Sequence, residues 1–129
     1  MNPIITVDAL YAHPRDKPID VPILCDVIRH LKSSPGLTIK QLSSKIGLDR
    51  NSLSSSVKLL TGLTLETFLK QWRLMLIKEH LSDPHLSYES VANLCGFSSV
   101  QAMSKFLDRM IHRTAYEYRE GRSNGHRLR

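Results

Sequence analysis

The chain has 129 residues, a formal net charge of +6 and 41% hydrophobic residues, the make-up of one globular domain with room for a real core. No run approaches the roughly 18 to 20 consecutive apolar residues of a membrane-spanning helix, and the N-terminus lacks the basic-then-apolar layout of a signal peptide, so no membrane partner and a cytoplasmic location are expected. Two cysteines, Cys25 and Cys95, make neither a metal motif nor a disulfide framework, and read as small buried hydrophobes in a reducing compartment.

Residues 1–19 hold Pro3, Pro14 and Pro18 without a sustained period and are expected to form a flexible arm. From Asp20, the run DVPILCDVIRHLKSS sets Ile23, Leu24, Val27, Ile28 and Leu31 on one helical face, with Asp20 as cap, Pro22 in the first turn and Pro35-Gly36 as the stop. Thr38 caps a short helix to Lys45 that turns Ile39, Leu42 and Ile46 inward, and Gly47 supplies the left-handed residue that ends it. A helix from Asp49 to about Leu60 buries Leu53, Val57 and Leu60 and leaves Asn51, Ser54, Ser55 and Lys58 outside. After Thr61-Gly62, Thr64 opens the longest helix, to about Leu81, with Leu65, Phe68, Leu69, Trp72, Leu76 and Ile77 on a broad apolar face and Pro84 enforcing the break. Ser87 caps the next helix through Leu94, Gly96 turns the chain, and Ser98 or Ser99 opens a helix to about Ile111. A last short helix begins at Thr114 and carries Tyr118 inward.

Nothing alternates with the period of a strand, so the expected fold is all-α with about seven helices. Two helix-turn-helix subdomains, at about 38–62 and 87–112, flank a linker helix at about 64–82. The whole domain spans 20–120, and 121–129 form a basic tail.

The two subdomains are copies. A shift of 49 positions lays Thr38 on Ser87, Leu42 on Val91, Ser43 on Ala92 and Gly47 on Gly96. After one inserted residue, Leu53 falls on Met103, Ser54 on Ser104 and Val57 on Leu107. Core positions and turn chemistry agree while exposed residues differ, so the repeat is structural. A helix-turn-helix unit inserts its second helix into the major groove, where base edges can be told apart, and most such proteins dimerise to place two reading helices about 34 Å apart. Here the linker helix, about 27 Å long at 1.5 Å per residue, is expected to replace the dimer, letting one chain span an asymmetric site. The positive charge suits a polyanion, with Arg109, Arg113, Arg119, Arg122, Arg127 and Arg129 crowded toward the C-terminus.

The stretches TGLTLETFLKQWRLMLIKEHL, VANLCGFSSVQAMSKFL and the closing Glu117 to Arg119 resemble the DNA-binding domain of the AraC/XylS family of bacterial transcription regulators. The resemblance covers about Leu24 to Arg119, and its most specific marks are Thr61-Gly62, Arg73-Leu74, Gly96-Phe97 and Tyr118-Arg119. It implies double-stranded DNA as partner, with RNA polymerase a candidate second partner. It also implies groove-facing residues at Arg50, Asn51, Ser54 and Ser55 in the first unit, with Lys58 beside them, and at Ser99, Val100, Gln101, Ser104 and Lys105 in the second. On chemistry, Asn51 and Gln101 can pair with adenine, Lys105 can reach guanine or a phosphate, and Val100 suits a thymine methyl. Lys40, Lys45, Arg73 and Arg119 are candidate phosphate contacts, and the family's arginine at Arg73 has the alternative of tying the linker helix to a neighbouring helix.

The sequence departs from the family pattern in particular places. Ser54, Ser55 and Ser56 replace longer side chains, Asp108 replaces a basic residue, Met103 an aromatic one, and His112 and Ala115 the frequent glycine and proline. The family joins this domain to a sensor or dimerisation domain, for which nothing in this sequence provides, so a stand-alone form or a piece of a longer regulator is expected. No small-molecule effector and no cofactor are expected. The six histidines show no metal-ligand spacing and no phosphate-cradling or nucleophile motif occurs, so neither metal nor catalytic residues are expected. The rival to a sequence-specific regulator is a protein-interaction module that binds another regulator or RNA polymerase with weak DNA contact.

Overall fold

The computed structural model describes residues 6–12 and 22–124, and among these the regular elements are all helices, eight in number. The chain divides into two compact units, Met1–Arg73 and Leu74–Arg129, with the boundary inside the longest helix.

The first unit holds α1 (Val7–Tyr11), α2 (Pro22–Ser33), α3 (Ile39–Ile46), α4 (Arg50–Thr61) and the opening half of α5 (Leu65–Leu81). α1 corrects the expected arm. Val7 and Leu10 are buried in the core, and the Tyr11 ring packs 4.9 Å from Trp72. Val7, Leu10 and Tyr11 follow the i, i+3, i+4 spacing of one helical face, but five residues are too few for that period to stand out among the prolines. The Asp20 cap lies outside the described residues. The core joins Leu24, Val27, Leu42, Leu53, Val57, Phe68 and Trp72.

α3 starts in a reciprocal capping box. The Thr38 hydroxyl accepts from the Gln41 N–H at 3.1 Å, and the Gln41 side-chain oxygen accepts from the Thr38 N–H at 3.0 Å. Gly47 ends α3 at φ 86°, a left-handed conformation that places its N–H on the Ser43 carbonyl at 2.8 Å. One buried polar group is mismatched: the Ser43 hydroxyl has no hydrogen-bond partner, where the second unit has the buried Ala92. Ser43→Ala should therefore raise stability by about 1 kcal/mol, because it removes an unsatisfied hydroxyl and adds a better helix former. A urea midpoint that stays or falls would show the hydroxyl to be satisfied in solution.

The second unit holds the rest of α5, then α6 (Tyr88–Leu94), α7 (Val100–Ile111) and α8 (Ala115–Asn124). Ile77, Leu81, Val91, Cys95, Met103 and Leu107 form its core, so Met103 fills a place where an aromatic is usual. Cys95 is fully buried as expected, whereas Cys25 in the first unit is half-buried. Thr114 caps α8 through a second capping box with Glu117, at 2.9 and 3.0 Å. α8 continues to Asn124, so the first residues assigned to the basic tail are helical and the tail boundary moves; residues 125–129 lie outside the described residues.

The C-termini of α4 and α7 solve one geometric problem with different residues. Gly62 closes α4 at φ 79°, and His112 closes α7 at φ 54°, ψ 41°, among the described residues the one non-glycine at positive φ. A side chain in the left-handed region costs about 1–2 kcal/mol, and His112 is exposed. His112→Gly should raise stability by about 1 kcal/mol after allowing for glycine's greater freedom when unfolded. A thermal melt checks this, and a lower midpoint would mean the imidazole supports the turn.

Candidate nucleic-acid interface

Each unit presents the outer face of its second helix. In α4, Leu53 and Val57 are fully buried, which forces Asn51, Ser52, Ser55 and Lys58 outward. Arg50, Asn51, Ser55 and Lys58 are exposed as the sequence implied, while Ser54 is half-buried. Leu59 also lies outside, at 57% exposure. Asp49 caps the helix: one carboxylate oxygen accepts from the Ser52 N–H at 2.8 Å and the other from its hydroxyl at 3.0 Å. Those two bonds, led by the backbone one, hold the Asp49 carboxyl below the usual carboxylate range. Arg50 faces Glu66, in the first turn of α5, at 3.7 Å.

In α7 the buried stripe is Met103 and Leu107, leaving Gln101, Lys105 and Arg109 exposed at i, i+4 and i+8, a line of donors about 12 Å long. Two other candidates hold structural positions: the Ser99 hydroxyl caps α7 by accepting from the Ala102 N–H at 3.1 Å, and Val100 packs against the core. Ser104 is half-buried. Arg109 was not singled out as a site residue, though its spacing from Lys105 and Gln101 was the available signal. Asp108 is exposed beside it. The entrance of α7 borders an open groove of about 560 Å³ shared with α6, lined by Ser87, Glu89, Asn93, Ser99 and Gln101 among others.

The four candidate phosphate contacts divide. Lys40 and Lys45 are exposed on α3. Arg73 donates to the Pro35 carbonyl at 3.2 Å, tying α5 to the α2–α3 connection rather than to a neighbouring helix. Arg119 likewise makes contacts within its own unit. Its Nε donates to the Leu81 carbonyl at 2.9 Å, its guanidinium donates to the Asp83 carbonyl at 3.2 Å, and it stacks 4.8 Å above the Tyr88 ring. Helix-terminal carbonyls lack intrahelical donors, and a cation there also meets the negative end of the dipole. The connection it grips is folded on itself, with the Asp83 carboxylate accepting from the His85 N–H at 2.9 Å. That bond, ahead of the His85 ring and the Arg119 charge, keeps the Asp83 carboxyl below its ordinary range.

Among the described residues no group of three His, Cys, Asp or Glu could hold a metal ion, and no helix is long and apolar enough to cross a membrane.

The family model described as "Helix-turn-helix domain" matches residues 42–121. No curated protein matches the chain in sequence. Among solved structures, the DNA-binding domain of the global transcriptional factor AdpA, in complex with a target DNA, is similar at 22% identity and TM-score 0.69, covering 80% of this chain and 95% of that one. An AraC-type regulator from Chromobacterium violaceum is similar at 20% identity and TM-score 0.66, covering 81% and 96%. The xylose-binding transcription activator xylR is similar at 20% identity and TM-score 0.64, but the chain spans only 28% of its length. These likenesses show the shared fold. With the family model matching well over half of the residues, and with two capped helix-turn-helix units behind it, the chain belongs to the AraC-type helix-turn-helix family, the DNA-binding domains of transcription regulators.

Proposed function

We propose that the chain regulates transcription by binding double-stranded DNA sequence-specifically, laying α4 and α7 into neighbouring major-groove segments, with α7 the stronger reader. The observation that carries this is the exposed line Gln101, Lys105 and Arg109, fixed by the buried Met103 and Leu107 behind it. An amide suits adenine, and a cation suits guanine or phosphate. The net charge of +6 supports a polyanionic partner. The AdpA domain, similar in fold, was solved with a target DNA, which adds support.

The first unit offers less reach. Ser55 stands where α7 has Lys105, and Leu59 where it has Arg109. That exposed, partly apolar face favours a second reading for α4, contact with a protein such as another regulator or RNA polymerase. Binding to a fluorescent duplex over a salt series tests the main reading, because log affinity falls with log salt by about 0.9 per phosphate neutralised. Tight binding with a shallow slope, or none at all, would favour the protein partner.

A further inference from the structure

The internal repeat makes each reading helix a control for the other, and the comparison isolates a charge pattern found at one of them. At the entrance of α4 stand Asp49, Arg50 and, from α5, Glu66; the repeat places Ser99, Val100 and Tyr116 at the matching positions of the second unit. Three ionised groups therefore replace three neutral ones where the phosphate backbone would approach. The structure shows how they interact. Arg50 lies 3.7 Å from Glu66, with both side chains about two-thirds exposed, at 65% and 64%. Asp49 is fixed by its two bonds to Ser52 and stays ionised. The second unit's counterpart, Tyr116, is 60% exposed and offers a phenol in place of the carboxyl group.

We propose that Glu66 sets the DNA affinity of the first unit, holding Arg50 in an ion pair that a phosphate must displace. This rests on the DNA-binding reading above. An exposed pair of this length is weak and freely exchangeable, so Glu66 does not lock Arg50. It compensates the charge of Arg50, and with the fixed Asp49 it gives the entrance of α4 a net negative balance. On DNA, the phosphate competes with Glu66 for the guanidinium, so part of the Arg50 contact is offset by the pair it gives up. Arg50 thus contributes little in the native chain and much once Glu66 is neutral. The rest of α4 fits this subordinate part, since Ser55 and Leu59 stand where α7 has Lys105 and Arg109, and Lys58 is its one further cation.

The test is a double-mutant cycle on the full chain with its preferred duplex, measured by fluorescence anisotropy over a salt series. Glu66→Gln is expected to tighten binding about fivefold and to steepen the salt dependence by about one phosphate. Arg50→Ala is expected to change affinity less than about twofold in the native background but to remove most of the Glu66→Gln gain, because the released arginine is its source. Circular dichroism checks that both exposed substitutions leave the fold intact. If the native chain binds the duplex and Glu66→Gln does not tighten it, or if the gain survives Arg50→Ala, the ion-pair role is overturned while the DNA-binding reading stands. If the native chain shows no salt-dependent DNA binding, both fall together.

Discussion

Gln101→Ala and Lys105→Ala each lower affinity for the preferred duplex by about tenfold or more, whereas Ser54→Ala and Ser55→Ala change it less than about threefold. The difference follows from reach and burial. Gln101 and Lys105 are exposed on α7 and carry long polar side chains, while Ser54 is half-buried and Ser55 ends one bond beyond its Cβ. A good paired contact to a base contributes about 1–3 kcal/mol of discrimination, and a short hydroxyl held back from the groove contributes little of it. Since Gln101, Lys105 and Ser55 lie outside the cores, their replacement moves stability by no more than about 0.5 kcal/mol, so a loss of binding cannot come from unfolding. The salt series separates the two strong sites further. Loss of Gln101 weakens the preferred duplex against a scrambled one, and loss of a phosphate contact at Lys105 flattens the slope for both. Equal losses at all four positions would contradict the leading role of α7.

Arg119→Ala destabilises the protein by about 2 kcal/mol and leaves the salt slope of DNA binding unchanged, because charge-assisted hydrogen bonds contribute about 1.5–3 kcal/mol. The guanidinium serves the Leu81 and Asp83 carbonyls together and covers the Tyr88 ring, so one truncation frees two acceptors and exposes an aromatic face. Arg119→Lys rescues little, since a single ammonium cannot reproduce the planar fork across two carbonyls. Urea denaturation and the same salt series decide between this tie and a phosphate contact. Unchanged stability with a slope flatter by about one phosphate would restore the phosphate role.

Helices with many turns or strong caps were legible in the sequence because their signals are local. Thr38 and Ser87 cap the helices they are expected to cap, the helices expected to begin at Asp49 and at Ser98 or Ser99 are capped by Asp49 and Ser99, and Gly47 takes the left-handed turn expected of it. α1 was not legible, since five residues give its helical period too little length to stand out and its order comes from tertiary packing of Val7, Leu10 and Tyr11 on the first core. The same limit explains the arginines. A basic residue in sequence is equally a solvated charge, a phosphate contact or a cap, and only the carbonyls that the fold brings to Arg73 and Arg119 distinguish them. Val100 illustrates it again, because an apolar residue in the first turn of a reading helix faces the core or the groove according to a rotation of one residue. Arg109, by contrast, was available from spacing alone.

That one chain reads two segments of DNA with unequal units is tested most directly by selecting preferred duplexes from a random pool and footprinting the strongest of them. The expected product is an asymmetric motif with two half-sites in neighbouring major-groove segments, the better defined one protected by α7 and lost with Gln101→Ala. An unenriched pool, with only weak binding that salt abolishes equally on every duplex, would contradict sequence-specific reading and leave α4 and α7 as a nonspecific or protein-facing surface.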